Sequence, residues 1–116
     1  MKYAMLIYTD QAEEGKHSPE EMNAIMGAYY GFTNEVKEKK LYVAGEALHP
    51  TTSATTVRVR DGKALTTDGP FAETKEQLGG FYLLDCKDLD EAIEYAAKIP
   101  GASHGSVEIR PIVIFS

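Results

Sequence analysis

Two helix starts, each set between short apolar runs, constrain the fold of this chain more than any other feature. The first is Ser18-Pro19-Glu20-Glu21. Ser18 is a capping residue, and Pro19 suits the first helical position, where an N–H would lack a helical partner anyway. Glu21 is spaced to reach back to the cap N–H and complete an S-x-x-E box. Downstream, Met22, Ile25, Met26, Tyr29, Phe32 and Val36 recur at steps of three and four, so they share one face of a helix running to about Lys40. The second start is Asp88-Leu89-Asp90-Glu91, with Asp88 as cap and Glu91 in the reciprocal position. Leu89, Ala92, Ile93 and Ala96 make its apolar face, and Pro100-Gly101 stop it.

The runs between the helices read as strands. Lys2 to Tyr8 is a short aromatic and aliphatic run, followed by a polar stretch from Thr9 to His17. Leu41 to Ala44 reads as a short strand ending at Gly45. Thr55 to Arg60 alternates β-branched and basic residues, Asp61-Gly62 is a two-residue hairpin signal, and Lys63 to Thr67 is the return strand. Phe71 to Gln77 reads as a turn or short helix, and Gly80 to Cys86 as the next strand. Val107 to Phe115 is the last strand, with Pro111 marking an edge or a bulge because proline donates no ladder hydrogen bond.

The resulting order is β-α-β, an inserted hairpin, then β-α-β. That is an α+β, ferredoxin-like split βαβ pattern in a single domain over residues 1–116, with an antiparallel sheet carrying two helices on one face. The other face needs cover. Tyr3, Met5, Phe81 and Leu83 are the apolar residues expected on it, and a second copy of the chain is the expected cover, giving a homodimer.

Charge and composition exclude several classes. With 18 acidic against 12 basic residues the net charge is −6, and no Lys/Arg cluster offers a nucleic-acid surface. No apolar run approaches the ~20 residues of a membrane span, so no membrane partner is expected. The N-terminal run is interrupted too soon by Thr9-Asp10 to serve as a signal peptide, and a cytoplasmic location is expected. The single cysteine, Cys86, makes no intramolecular disulfide and reads as an inert packed or half-exposed thiol. No H-x-x-x-H pair, phosphate-cradling glycine loop or G-x-S-x-G elbow is present, so neither a metal nor a cofactor is expected.

Residues 66–81 concentrate the candidate chemistry. Asp68-Gly69-Pro70-Phe71 makes a rigid turn, in which Asp68 either bonds the turn backbone or is held at a cleft as base or polar anchor. Phe71 reads as a core plug or a stacking platform. Glu73, Lys75 and Glu76 read as a solvated face or, for Glu73 and Lys75, as the lining of a pocket, since Gly79-Gly80 permits close approach of a ligand or backbone. A second region, Gly45 to Pro50, offers His49 for proton exchange with Glu46 or Asp68, against the plainer reading of a locally bonded histidine. His17 and His104 read as surface residues. Tyr8, Tyr29, Tyr30 and Tyr82 read first as core residues with wet tips, though numerous enough to include a cavity-facing phenol.

Thr67-Asp68-Gly69-Pro70-Phe71-Ala72-Glu73-Thr74-Lys75-Glu76 and Leu78-Gly79-Gly80-Phe81 closely resemble the signature of the DGPF-domain proteins, a branch of the YCII-related family. Further matches lie at Met5 to Tyr8, Ser18 to Glu21, Ala54 to Arg58, Leu89 to Ala92 and Val107 to Pro111, so the resemblance covers nearly the whole chain. It implies a dimeric α+β barrel of two ferredoxin-like units with facing sheets, and a His–Asp pair in a cleft. The family's histidine lies in the first helix, near Ala28-Tyr29 on a rough alignment from Gly45. No histidine stands between His17 and His49 here, so Asp68 is the member carried over and His49 a substitute from another element. Some relatives are encoded beside, or fused to, sigma factors of the extracytoplasmic-function class, which implies a regulatory connection.

Two functions from different classes remain open. One is a small-molecule enzyme using general acid–base chemistry, with Asp68 as base, His49 as proton shuttle, and Glu46, Phe71, Glu73 and Lys75 binding an unknown small molecule. The other is a non-enzymatic regulatory or ligand-binding module, with a sigma factor as partner.

Overall fold

The computed structural model describes residues 1–115. Strand β1 (Lys2–Thr9) leads into a short helix α1 (Gln11–Glu14) and the long helix α2 (Pro19–Glu38), followed by β2 (Tyr42–Ala47). Then come β3 (Thr55–Arg60), β4 (Lys63–Asp68), β5 (Gln77–Asp85), α3 (Leu89–Ala96) and β6 (Ser106–Pro111), with 3-10 turns at Thr51–Ser53 and Pro100–Ser103. Four strands form one antiparallel sheet in the order β2-β5-β1-β6, and β3 and β4 pair separately. This is the ferredoxin-like split βαβ order with an inserted hairpin, as the sequence pattern predicts.

The first capping signal operates as expected, and the second does so in part. Glu21 N–H donates to Ser18 Oγ at 3.1 Å, and the Glu21 carboxylate accepts from Ser18 N–H at 2.8 Å, closing the box at the start of α2. At α3, Asp88 accepts from Glu91 N–H at 2.9 Å, whereas the Glu91 carboxylate reaches one residue further back, to Lys87 N–H at 2.9 Å. The polar stretch after β1 is not a plain connector. Asp10 caps α1 by accepting from Ala12 and Glu13 N–H groups, at 3.1 and 3.3 Å.

Both longer helices lie on one face of the sheet. The core is built from Tyr3, Met5 and Ile7 of β1, Tyr82 and Leu84 of β5, Phe32 and Val36 of α2, and Ala92, Tyr95 and Ala96 of α3, closed by Cys86 and Ile99. The pairings Tyr3↔Leu84 and Met5↔Tyr82 put these residues on the helix side. Tyr3 and Met5 therefore do not belong to the uncovered face, where the sequence reading put them; they are 3% and 0% exposed. Leu6 and Ala4, paired with Phe81 and Leu83, line that other face instead and are half-buried. The strand period of two fixes which residues share a face, but not which face receives the helices.

Two element boundaries differ from the pattern because of glycine. β2 runs on through Gly45 to Ala47, and a Cβ at Gly45 would stand 2.8 Å from the Tyr82 ring, so this glycine accommodates a close neighbour rather than ending the strand. β5 begins at Gln77 and carries Gly79-Gly80 within it. A Cβ at Gly80 would meet the Glu46 carbonyl oxygen at 2.9 Å. Residues 71–76 form bends without a helix, and β6 ends at Pro111, on the sheet's edge.

The β3–β4 hairpin forms an arm. Asp61 and Gly62 turn it with φ of 51° and 74°, the paired positive values of a type I′ turn. Its pairings Val57↔Thr66 and Val59↔Ala64 make one side largely apolar, and Arg58↔Leu65 and Arg60↔Lys63 make the other basic. The radius of gyration is 16.1 Å, against about 13 Å for a compact chain of this length. The accessible surface is 8120 Å², roughly 1,800 Å² more than size scaling gives for a folded monomer of 12.8 kDa.

Candidate functional site

The N-terminal half of α2 stands off the sheet over a cavity of about 580 Å³. Small residues leave the space. On the helix side of β2 and β5, Gly45, Ala47 and Gly80 supply almost no side-chain volume beneath α2. Met22, Ile25, Met26, Tyr29, Tyr30 and Thr33 form the roof. Met22 and Met26, expected in the core from their helical spacing, are 43% and 48% exposed because they overhang this opening; Phe32 and Val36, a turn or more further along, are buried.

One end of the cavity is closed by α1. Gln11 is the latch: its N–H donates to Gln77 Oε1 at 3.0 Å, and its own Oε1 accepts from the Thr51 N–H and hydroxyl at 3.0 and 3.1 Å. This places Glu14 at the cavity wall, where its carboxylate accepts a short hydrogen bond from the Thr9 hydroxyl. Thr9 is the one buried polar residue among the described residues, 4% exposed, so this bond provides for a hydroxyl that water hardly reaches.

Two phenols line the same space. The Tyr82 and Thr33 hydroxyls are 2.8 Å apart, and the edge-on Phe32 ring, 5.0 Å away between centroids, holds the Tyr82 ring in place. Tyr29 packs its hydroxyl against the Gly101 backbone, where a Cβ would come within 2.9 Å of it. Burial pushes the Tyr29 phenol above its ordinary 10.0, helped by Tyr82 and Glu14 and opposed by the Gly101 backbone. Burial likewise raises Tyr82, against the lowering effect of Thr33. Both phenols therefore keep their protons at neutral pH and act as hydrogen-bond donors or acceptors, not as bases.

The residues singled out in the sequence fall in two places. Glu46 lines the cavity, and so do Leu48 and Pro50, but His49 between them is exposed and is not part of the lining. Asp68 is the exposed last residue of β4, opposite Thr55. The turn after it is held by backbone bonds: Gly69, at φ 109°, donates to the Ala54 carbonyl at 2.7 Å and its carbonyl accepts from Thr56 at 2.8 Å. Phe71 is 79% exposed and so is no core plug; its carbonyl accepts from Arg58 at 3.5 Å. Glu73 and Lys75 are exposed, in a loop pinned by Thr74 to the Glu76 carbonyl at 2.6 Å. Among the described residues no hydrogen bond or ion pair joins Asp68 to His49, Glu73 or Lys75.

Thr9, Glu14, Thr33 and Gln11 escaped the sequence reading. Thr33 lies on α2 outside its apolar spacing, and for the other three the only sequence signal is the Asp10 cap and the four-residue helix after it, too short to show a period. Cys86 is buried, 1% exposed, and burial raises its thiol above 9.0, with Glu91 and Asp85 adding to the effect. It is a packed thiol.

The family model for the YCII-related domain matches residues 1–116. The chain belongs to the YCII-related family. A relative from Rhizobium meliloti (strain 1021), known only as uncharacterized protein R00369, is 41% identical over 117 residues, covering 99% of this chain and 94% of that one. Membership of the YCII-related family accounts for the Asp68-Gly69-Pro70-Phe71 signature. It leaves the chemistry to be argued from the cavity.

Proposed function

We propose that this YCII-related protein binds a small molecule in the cavity under α2 and moves a proton on it by general acid–base catalysis. The observation that carries this is the convergence of a carboxylate, Glu14, and two protonated phenols, Tyr29 and Tyr82, on one largely apolar space of about 580 Å³. That size and lining are typical of small-molecule sites. Glu14 is the proton acceptor in this reading. Thr9 is a positioning residue that orients the carboxylate, and the phenols donate to the oxygen where negative charge develops.

Native mass spectrometry of gently purified protein tests the site. A discrete bound mass is expected, and it should disappear in Met26→Trp, which fills the cavity from its exposed rim. The same mass retained by that variant would place the ligand elsewhere and overturn the reading. Once a substrate is in hand, Glu14→Gln should bind it and lose turnover about 10²- to 10⁴-fold. A binding module without turnover would keep the ligand and be indifferent to this change.

The protein is further proposed to be a cytoplasmic homodimer. The surplus surface of roughly 1,800 Å² exceeds the ~800 Å² that each partner contributes to a standard interface. Val57, Val59 and Leu65 of the arm are at least half exposed, as are Val113 to Phe115 after β6. In this assembly the Asp68 to Lys75 loop acts in recognition of the second copy. Asp68→Asn separates that role from catalysis: intact turnover with weakened dimerisation supports recognition, and lost turnover in an intact dimer returns the base to Asp68.

A further inference from the structure

We infer that the cavity takes an uncharged, largely apolar carbonyl compound with one acidic hydrogen, and that it excludes carboxylates and phosphates. This rests on the reading of the cavity as the binding site.

The charge on the walls sets the first half. Glu14 lines the cavity, and no Lys, Arg or His does among the described residues; Glu46 also borders it, but its pairing with Phe81 puts its side chain on the sheet's other face. Lys37 is exposed and outside the lining, with its Nζ 4.9 Å from the Tyr42 ring centroid. An anion entering would lose its hydration, meet a carboxylate and find no counter-charge. The net charge of −6 works in the same direction.

Hydrogen-bond accounting sets the second half. Thr33 and Tyr82 share one bond between two hydroxyls, and either oxygen can be the donor. Each hydroxyl carries one hydrogen, so one of the two remains free for an acceptor on the ligand. At the other end the Thr9 hydrogen is committed to Glu14 Oε1, while Oε2 accepts from no group among the described residues and is open to the ligand. The site thus asks for one acceptor oxygen and one donated or acidic hydrogen, separated by apolar surface facing Ile25 and Met26. On such a compound the step is a balanced proton transfer. A bond to hydrogen next to the carbonyl breaks, the proton goes to Glu14, and the electron pair moves to the carbonyl oxygen. The Tyr82–Thr33 pair donates to that oxygen until the proton returns. Nothing is oxidised or reduced.

A matched pair of probes tests this on the intact protein after dialysis: 6-acetyl-2-naphthol, neutral with a carbonyl, and 6-hydroxy-2-naphthoate, its anionic counterpart. Fluorescence titration gives affinities, and amide NMR shifts locate the binding. The ketone should bind roughly tenfold or more tightly than the carboxylate, with shifts at Ile25, Gly45 and Gly80. Tyr82→Phe should weaken the ketone by up to about tenfold, and Glu14→Gln should narrow the gap by helping the carboxylate. Equal or tighter carboxylate binding, with shifts at the same residues, overturns the inference and leaves the cavity as the site. If neither probe shifts the lining residues, both the inference and the cavity reading fall.

Discussion

The body and the arm of this chain are held by different forces. In β1 every second residue from Tyr3 to Thr9 is buried, and Leu84 of β5 and Val36 of α2 are sealed entirely. In β3 and β4, every residue but the half-buried Thr56 is exposed. The body is ordered by removing apolar surface from water, the arm by a type I′ turn and ladder hydrogen bonds. A two-stranded hairpin is marginal on those terms alone. The difference also divides the functional residues: the family signature sits on and beside the arm, whereas the half-open cavity with its phenols and carboxylate lies in the body.

The largest expected contrast comes from truncating one apolar residue in each region. Leu84→Ala opens a cavity in the core and should cost about 2–5 kcal/mol in urea denaturation. Val59→Ala, at a site 63% exposed, should cost less than about 0.5 kcal/mol in dilute protein. If the Val59 cost grows with protein concentration, the arm is covered by another copy, and Val59→Glu should then lower the dimer fraction in sedimentation without changing the fold. A concentration-independent loss as large as that of Leu84→Ala would break the contrast.

The same division explains what could be read from the sequence. Capping residues, the Asp61-Gly62 turn and the helix spacing are local signals, and they yield the element order and the ferredoxin-like pattern. Which side of the sheet Tyr3 and Met5 occupy is decided by the helices' docking, which no local period encodes. The Asp68 loop drew attention because charges and glycines are conspicuous in a string of letters. The cavity is conspicuous only in space: it arises from missing volume at Gly45, Ala47 and Gly80, below a helix whose Met22 and Met26 look like core residues. Tyr29 and Tyr82 were legible as tyrosines with a buried body and a polar tip. Glu14 was not legible, because its position depends on the Gln11 latch between β5 and the turn at Thr51.

Glycine replacements sharpen the comparison at smaller cost. Gly80→Ala pushes a methyl group against the Glu46 carbonyl at 2.9 Å, backbone that moves only with β2. It should destabilise the body by about 1–3 kcal/mol, read as a lower midpoint for the whole transition. Gly69→Ala meets no atom within 4 Å, but its φ of 109° is strained for alanine. It should cost about 1 kcal/mol, seen as faster amide exchange in β3 and β4 with the body's exchange unchanged. Equal slowing or quickening in both regions would mean that arm and body unfold as one unit.

The smallest effect is a pH dependence that belongs to the body, because residues 55–76 contain no tyrosine and no cysteine. Burial raises Tyr29 and Tyr82 above 10.0 and Cys86 above 9.0 in the folded chain. Raised acids favour the folded state while they stay protonated. Their contribution is therefore complete below the unfolded values, and it is lost as pH rises through the folded ones, since the unfolded chain ionises first. Stability should begin to fall near pH 9 from Cys86 and more steeply above pH 10 from the two phenols. Tyr29→Phe combined with Tyr82→Phe removes the second contribution, so urea midpoints above pH 10 should decline less in that variant than in the parent. An identical decline in both would mean that the phenols are as hydrated in the folded protein as in the unfolded chain, and the donors assigned to the cavity would lose their basis.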